Sequence, residues 1–192
     1  MAVTISGDTG ISNISGATAT GNLGNVKINP INAAPGSVIQ TVQTVMSNTF
    51  SMTAGTFTQV PALNTLITPY FSNSKILVLL DVKVGMLYYQ CKGKLLRNGI
   101  GIALGDAAGN RAIGTFWINS YYNATGEQYS VNSGISQFLD SPATTSPCVY
   151  SVQIASYAPS YGYVNRSHSW QDVGGNYDGT MSSSMTLMEI KQ

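Results

Sequence analysis

The chain has 192 residues, of which only 9% are charged, with a formal net charge of +1 and 43% hydrophobic residues. An ordinary soluble protein carries about 25% charged residues, so this composition excludes coiled coils, helical bundles and basic nucleic-acid binders, and its hydrophobic content argues against a disordered chain. Ser, Thr and Asn number about 55 and Gly adds 20, which leaves a polar, uncharged, β-rich globular protein with little self-repulsion to keep it monomeric.

Residues 1–33 form the first unit. They contain no aromatic residue and only two charges, Asp8 and Lys27. Ile-Ser-Gly occurs at 5–7 and again at 14–16, and Ile11 lies between the copies. Isolated Ile residues among Gly, Ser and Thr cannot build a core. The segment reads either as disorder or as an extended attachment arm whose Ile5, Ile11 and Ile14 dock on a neighbouring subunit or a larger particle. Met1–Gly10 lacks the charged and apolar regions of a secretory signal. The longest apolar run, Ile76–Leu80, is far too short to cross a membrane. Ala33-Ala-Pro-Gly36 reads as a hinge, and residues 34–192 as one domain, long enough to bury about 70% of its unfolded surface.

From Ser37 the pattern is one of short strands. Val38–Val45 alternates in polarity. Phe57–Val60 leads into Leu63–Ile67. Lys75–Val84 is the strongest strand, with Val78, Leu80, Val82 and Val84 inward and Asp81 and Lys83 outward. Met86–Gln90, Lys94–Arg97 and Ile100–Leu104 follow, with a turn at Asn98-Gly99. Ala112–Tyr122, Gln128–Val131, Ile135–Leu139, Cys148–Ile154, Tyr161–Asn165 and Ser182–Ile190 complete the series. No amphipathic helix stands out. Strands at this spacing, with turn residues between them, predict an antiparallel sandwich or barrel.

Sites of chemistry are absent from the pattern, and no enzyme is expected. His168 is the single histidine and reads as an exposed loop residue. No Gly-x-Ser-x-Gly elbow occurs, no metal-ligand spacing occurs, and no phosphate loop calls for a cofactor. Asp106 and Asp140 sit at turns, which explains both. Cys91 and Cys148 read as buried free thiols.

Two surface features remain. Lys83, Lys92, Lys94 and Arg97 form a basic stretch with no acid between Asp81 and Asp106. It is either a solvated strand face or a patch facing an anion, such as an acidic polysaccharide or an acidic partner protein. Late in the chain, aromatic rings lie among Ser, Gly and Pro, as in Ser156–Tyr163. Phe116 and Tyr150 are expected in the core. Tyr157, Tyr161, Tyr163 and Trp170 form a candidate recognition surface, because Tyr supplies rigid contact area at low entropic cost. Packing at loops or between subunits explains these rings equally well.

Val60-Pro-Ala-Leu, Ile67-Thr-Pro and Ser74-Lys-Ile-Leu-Val begin an ordered set of motifs. Arg97-Asn-Gly, Gly105-Asp-Ala-Ala-Gly-Asn-Arg111, Leu139-Asp-Ser-Pro-Ala-Thr-Thr-Ser146, Tyr150-Ser-Val-Gln, Val164-Asn-Arg-Ser167 and Ser184-Met-Thr-Leu-Met-Glu-Ile190 continue it. In order and spacing, residues 37–192 resemble the C-terminal domain of bacteriophage tail-fibre proteins. The resemblance implies an all-β, jelly-roll-like (tumour-necrosis-factor-like) antiparallel sandwich with an extended N-terminal arm. It further implies a homotrimer in the virion that recognises host glycans or proteins. A long shaft is missing from the sequence, which favours a short tail fibre or receptor-binding protein anchored to other virion proteins by its arm. The alternatives are a capsid decoration (cement) trimer and, less in keeping with the sequence, a polysaccharide depolymerase. Neither nucleic-acid binding nor membrane insertion is expected.

Overall fold

The structure, a computed structural model, describes residues 30–52, 54–87, 89–120, 127–157, 162–169 and 177–192. In chain order the strands are β1 (Val38–Met46), β2 (Phe50–Ser51), β3 (Thr58–Ile67), β4 (Lys75–Met86), β5 (Tyr89–Arg97) and β6 (Ile100–Ile102), followed by β7 (Phe116–Ser120), β8 (Val131–Asp140), β9 (Cys148–Ser156), β10 (Gly162–Val164) and β11 (Ser183–Ile190). Helix among the described residues is limited to single 3-10 turns at Pro30–Asn32 and Glu127–Tyr129. None is long and apolar enough to cross a membrane.

The strands form two antiparallel sheets. In the first, β4 pairs with β8 on one edge and with β11 and β10 on the other; β11 pairs in turn with β1, and β10 with β2. In the second, β9 lies between β3 and β5, and the far edge of β5 pairs with β6 and β7. Alternating polarity dictates how the sheets face. Ile76, Val78, Leu80, Val82 and Val84 of β4, with Met185 and Leu187 of β11, meet Leu95 of β5 and Tyr150, Val152 and Ile154 of β9 in one core. The all-β antiparallel sandwich expected from the sequence is therefore present, with Phe116 and Tyr150 buried in it as expected.

Phe116 closes one edge of the sandwich. A Cβ built on Gly93 of β5 would lie 2.0 Å from its ring, and one on Gly134 of β8 would lie 2.4 Å away. The ring therefore spans from one sheet to the other over two residues that have no side chain to obstruct it.

Several elements differ from expectation. Met86–Gln90 is not a strand: β4 runs on to Met86, and β5 begins at Tyr89 with a φ of 64°. The apolar run there reflects the end of one strand and the start of the next. Glu127–Tyr129 is a 3-10 turn, and β8 begins at Val131, ahead of the expected Ile135. Val60-Pro-Ala-Leu is an irregularity within β3. Five steps along β3, from Gln59 to Asn64, face two along β9, and Ala62 takes a φ of 59°. This bulge lets Val60 and Leu63 both point inward, fully buried.

Most of the arm, including Ile5, Ile11 and Ile14, lies outside the described residues. Its last part is tied to the end of the chain. The Lys191 ammonium donates to the carbonyls of Ile31 (2.6 Å) and Ala33 (2.8 Å), and the Gly36 amide donates to the Lys191 carbonyl at 2.7 Å.

Candidate functional site

The outer surface of β7-β5-β9 carries the exposed chemistry. Along β5, Cys91, Gly93 and Leu95 point into the core, so Lys92 and Lys94 point out. The register sets their neighbours. Gln59, Gln153 and Lys94 form one row across the sheet, and Ala155, Lys92 and Trp117 the next. Tyr157 follows at the end of β9, its amide donating to the Gln90 carbonyl at 2.9 Å. The Lys94 ammonium lies 4.1 Å from the centre of the Phe57 ring and the Lys92 ammonium 5.5 Å from it, a cation–π arrangement. Trp117 is 48% exposed, and its indole N–H donates to Asn119 at 2.8 Å. Trp117 also walls a groove lined by Gly105, Asp106, Ile113 and Gly114.

The structure divides the basic stretch. Lys92 and Lys94 share this outer face. Lys83 lies on the outer face of the other sheet, 2.7 Å from Asp81. Arg97 turns inward to Asp140. Strand parity explains the division: Lys92 and Lys94 are two apart, and Arg97 is an odd step from both.

The candidate recognition tyrosines are also divided. Tyr157 is 64% exposed and packs against Tyr89, with ring centres 5.6 Å apart. Tyr163 is half-buried on β10 in the other sheet. The Arg166 guanidinium lies 3.3 Å from its ring centre, and the His168 ring 5.6 Å away. The described members of the set thus sit on different sheets. Tyr161 and Trp170 lie outside the described residues. His168 is half-buried rather than exposed. Burial, followed by the nearby Arg166 charge, lowers its pKa below the ordinary 6.5. Trp117 was not among the expected recognition residues, although its alternation with inward Phe116 and Ile118 places it on the outer surface.

The outer face of β1-β11-β4-β8 is different in kind. Ile135 and Leu139 of β8 are 60% and 45% exposed, and Val45 of β1 is exposed as well. Leu77 of β4 lies between Leu139 and Met188 in the register, and these three form an apolar row; Ile135 and Val45 stand at the two ends of another row, with Asp81 and Ser184 between them.

At one end of the sandwich, a polar network joins the sheets from within. Asp140 Oδ2 accepts from Arg97 Nη1 and from Tyr150 Oη, each at 2.6 Å. Asp140 is therefore a buried acceptor rather than an exposed turn residue. Burial, reinforced by the Asp140 carboxylate, holds the Tyr150 hydroxyl above its usual pKa. Burial alone would lower the Arg97 guanidinium, but the hydrogen bond to Asp140 reverses that. Beside them, the Asn98 side chain accepts from the Val149 amide at 2.8 Å. A second carboxylate, Glu189, is fully buried and accepts from Gln40 Nε2 (2.5 Å) and from the amides of Tyr70 (2.9 Å) and Phe71 (3.3 Å). Asn165 is also fully buried and donates to the carbonyls of Met46 and Asn48.

Cys91 and Cys148 are buried free thiols, as expected. Among the described residues, no three His, Cys, Asp or Glu side chains gather as a metal-ligand set. The chain matches no protein-family model, and no curated protein matches it as a relative.

Proposed function

We propose that the chain is a bacteriophage virion protein: a short, homotrimeric tail fibre that attaches the particle to the host surface. One observation carries this reading. The motifs behind the tail-fibre resemblance lie far apart in sequence, yet three of them converge in space. Arg97-Asn-Gly, Leu139-Asp-Ser-Pro and Tyr150-Ser-Val-Gln supply Arg97, Asp140 and Tyr150 to one buried network. Asn98 of the first motif also binds the strand that carries the third. A chance scatter of short β-type motifs has no reason to meet in this way.

Two further features support the reading. The long strands run β1-β11-β4-β8 in one sheet and β3-β9-β5-β7 in the other. This order fits the double Greek key of an eight-stranded jelly roll. The apolar row of Leu139, Leu77 and Met188, with exposed Ile135 further along β8, suits burial against identical subunits, because scattered exposed apolar residues need no partner but a contiguous row does. In this reading residues 1–33 anchor the fibre to other virion proteins, and the β7-β5-β9 face remains free for the host.

Imaging the intact particle tests this. Density for the chain on the tail or baseplate is the expected result. Density confined to the capsid lattice would overturn it in favour of a decoration trimer.

A further inference from the structure

We propose that the outer face of β7-β5-β9 binds an acidic polysaccharide, with Lys92 and Lys94 on its acid groups and Trp117 stacked on a sugar face. Among the described residues neither lysine has a carboxylate partner; the ion pairs there are Lys83–Asp81 and Arg97–Asp140. Phe57 holds both ammonium groups on one side of the strand without neutralising them. Two residues of strand separate their roots, about 7 Å, which suits acid groups repeated along an extended polymer.

The surrounding residues favour a sugar. Trp117 offers an exposed apolar plane in register with Lys92. Gln59 and Gln153 lie in the row of Lys94 and offer both donors and acceptors to hydroxyl groups. Asp106, in the groove beside Trp117, can accept from sugar hydroxyls.

A second copy of the chain is a poor occupant for this face. Asp140 and Glu189 are buried and engaged, Asp81 is paired, and Asp178 accepts from Ser167 at 3.1 Å. Asp106 is the one remaining acid among the described side chains. Among the described side chains, a second copy would set little opposing charge against these two ammonium groups, and burying them so is costly.

The inference rests on the attachment reading for its biological setting, but its test is separate. Binding of the purified full-length protein is measured against polygalacturonate, with neutral dextran, duplex DNA and anionic phospholipid vesicles as comparisons. Polygalacturonate is expected to bind, and to weaken as salt rises. Lys92→Gln/Lys94→Gln is expected to weaken it about tenfold, as two solvent-accessible charge contacts allow. Trp117→Ala should weaken it about fivefold through loss of the aromatic plane. Trp117→Leu replaces that variant if its denaturation midpoint falls. The proposal is overturned if polygalacturonate fails to bind, if the double lysine variant binds as tightly as wild type, or if DNA, vesicles or dextran bind equally well. Any of these results leaves the location of the chain on the particle unaffected. Conversely, density on the capsid would overturn the fibre reading and leave the binding measurement standing.

Discussion

Arg97 and Asp140 belong to opposite sheets, and their side chains meet at 2.6 Å inside one end of the sandwich. The Tyr150 hydroxyl donates to the same carboxylate oxygen. The carboxylate thus ties β5 and β9 of one sheet to β8 of the other.

Removing the shared acceptor should cost more than removing one donor. Asp140→Ala leaves a guanidinium and a phenol without their partner and is expected to destabilise the fold by about 3 kcal/mol. Tyr150→Phe removes one hydrogen bond and keeps the ion pair, for about 1–2 kcal/mol. Urea denaturation midpoints of the two variants check this order; equal effects would contradict a shared acceptor.

The Phe116 edge predicts a steric coupling. Gly134→Ala puts a methyl group where the Phe116 ring lies and should cost about 1–3 kcal/mol by overpacking. Phe116→Leu in the same chain should relieve part of that cost. A double-mutant cycle from urea melts measures the coupling, and additive effects would contradict the contact.

The thiols should be silent in the native protein. Burial raises the Cys91 thiol to about 12 and also pushes Cys148 upward, so neither supplies thiolate near neutral pH. A colorimetric disulfide reagent is expected to titrate both only after unfolding. Prompt reaction in the native state would contradict their burial.

His168 gives a pH dependence with a defined sign. Its folded-state pKa is depressed by burial and by Arg166, below the ordinary 6.5. The unfolded state therefore binds the proton more readily, and stability rises with pH between the folded pKa and 6.5. This contribution is complete above 6.5 and is lost as pH falls toward the folded value. Urea midpoints should decline as pH falls below 6.5, and His168→Asn should flatten that decline. An unchanged slope in the variant would contradict the assignment.

Much of the sandwich was legible because alternation reports which way a side chain points. Val78, Leu80, Val82 and Val84 fall inward as the pattern requires, as do Tyr150, Val152 and Ile154. On β11, where apolar residues lie on both faces, Met185 and Leu187 turn inward while Met188 and Ile190 are half-buried outside. Local pattern could not foresee Asp140. Asp-Ser-Pro reads as a turn, and the partners that bury it stand 43 and 10 residues away. The surface lysines show the opposite case. Their charge was visible, and strand parity separates outward Lys92 and Lys94 from inward Arg97, but the Trp117 beside them depends on the pairing of β5 with β7.

The assembly is the claim on which the account depends, and light scattering measures it directly. The wild-type protein is expected to have a mass near three times 20.3 kDa at micromolar concentration. Ile135→Asp/Leu139→Asp, which alters exposed positions of β8, should reduce it to one times that mass while leaving the fold intact. A wild-type monomer, or a trimer undisturbed by the two aspartates, would contradict the account.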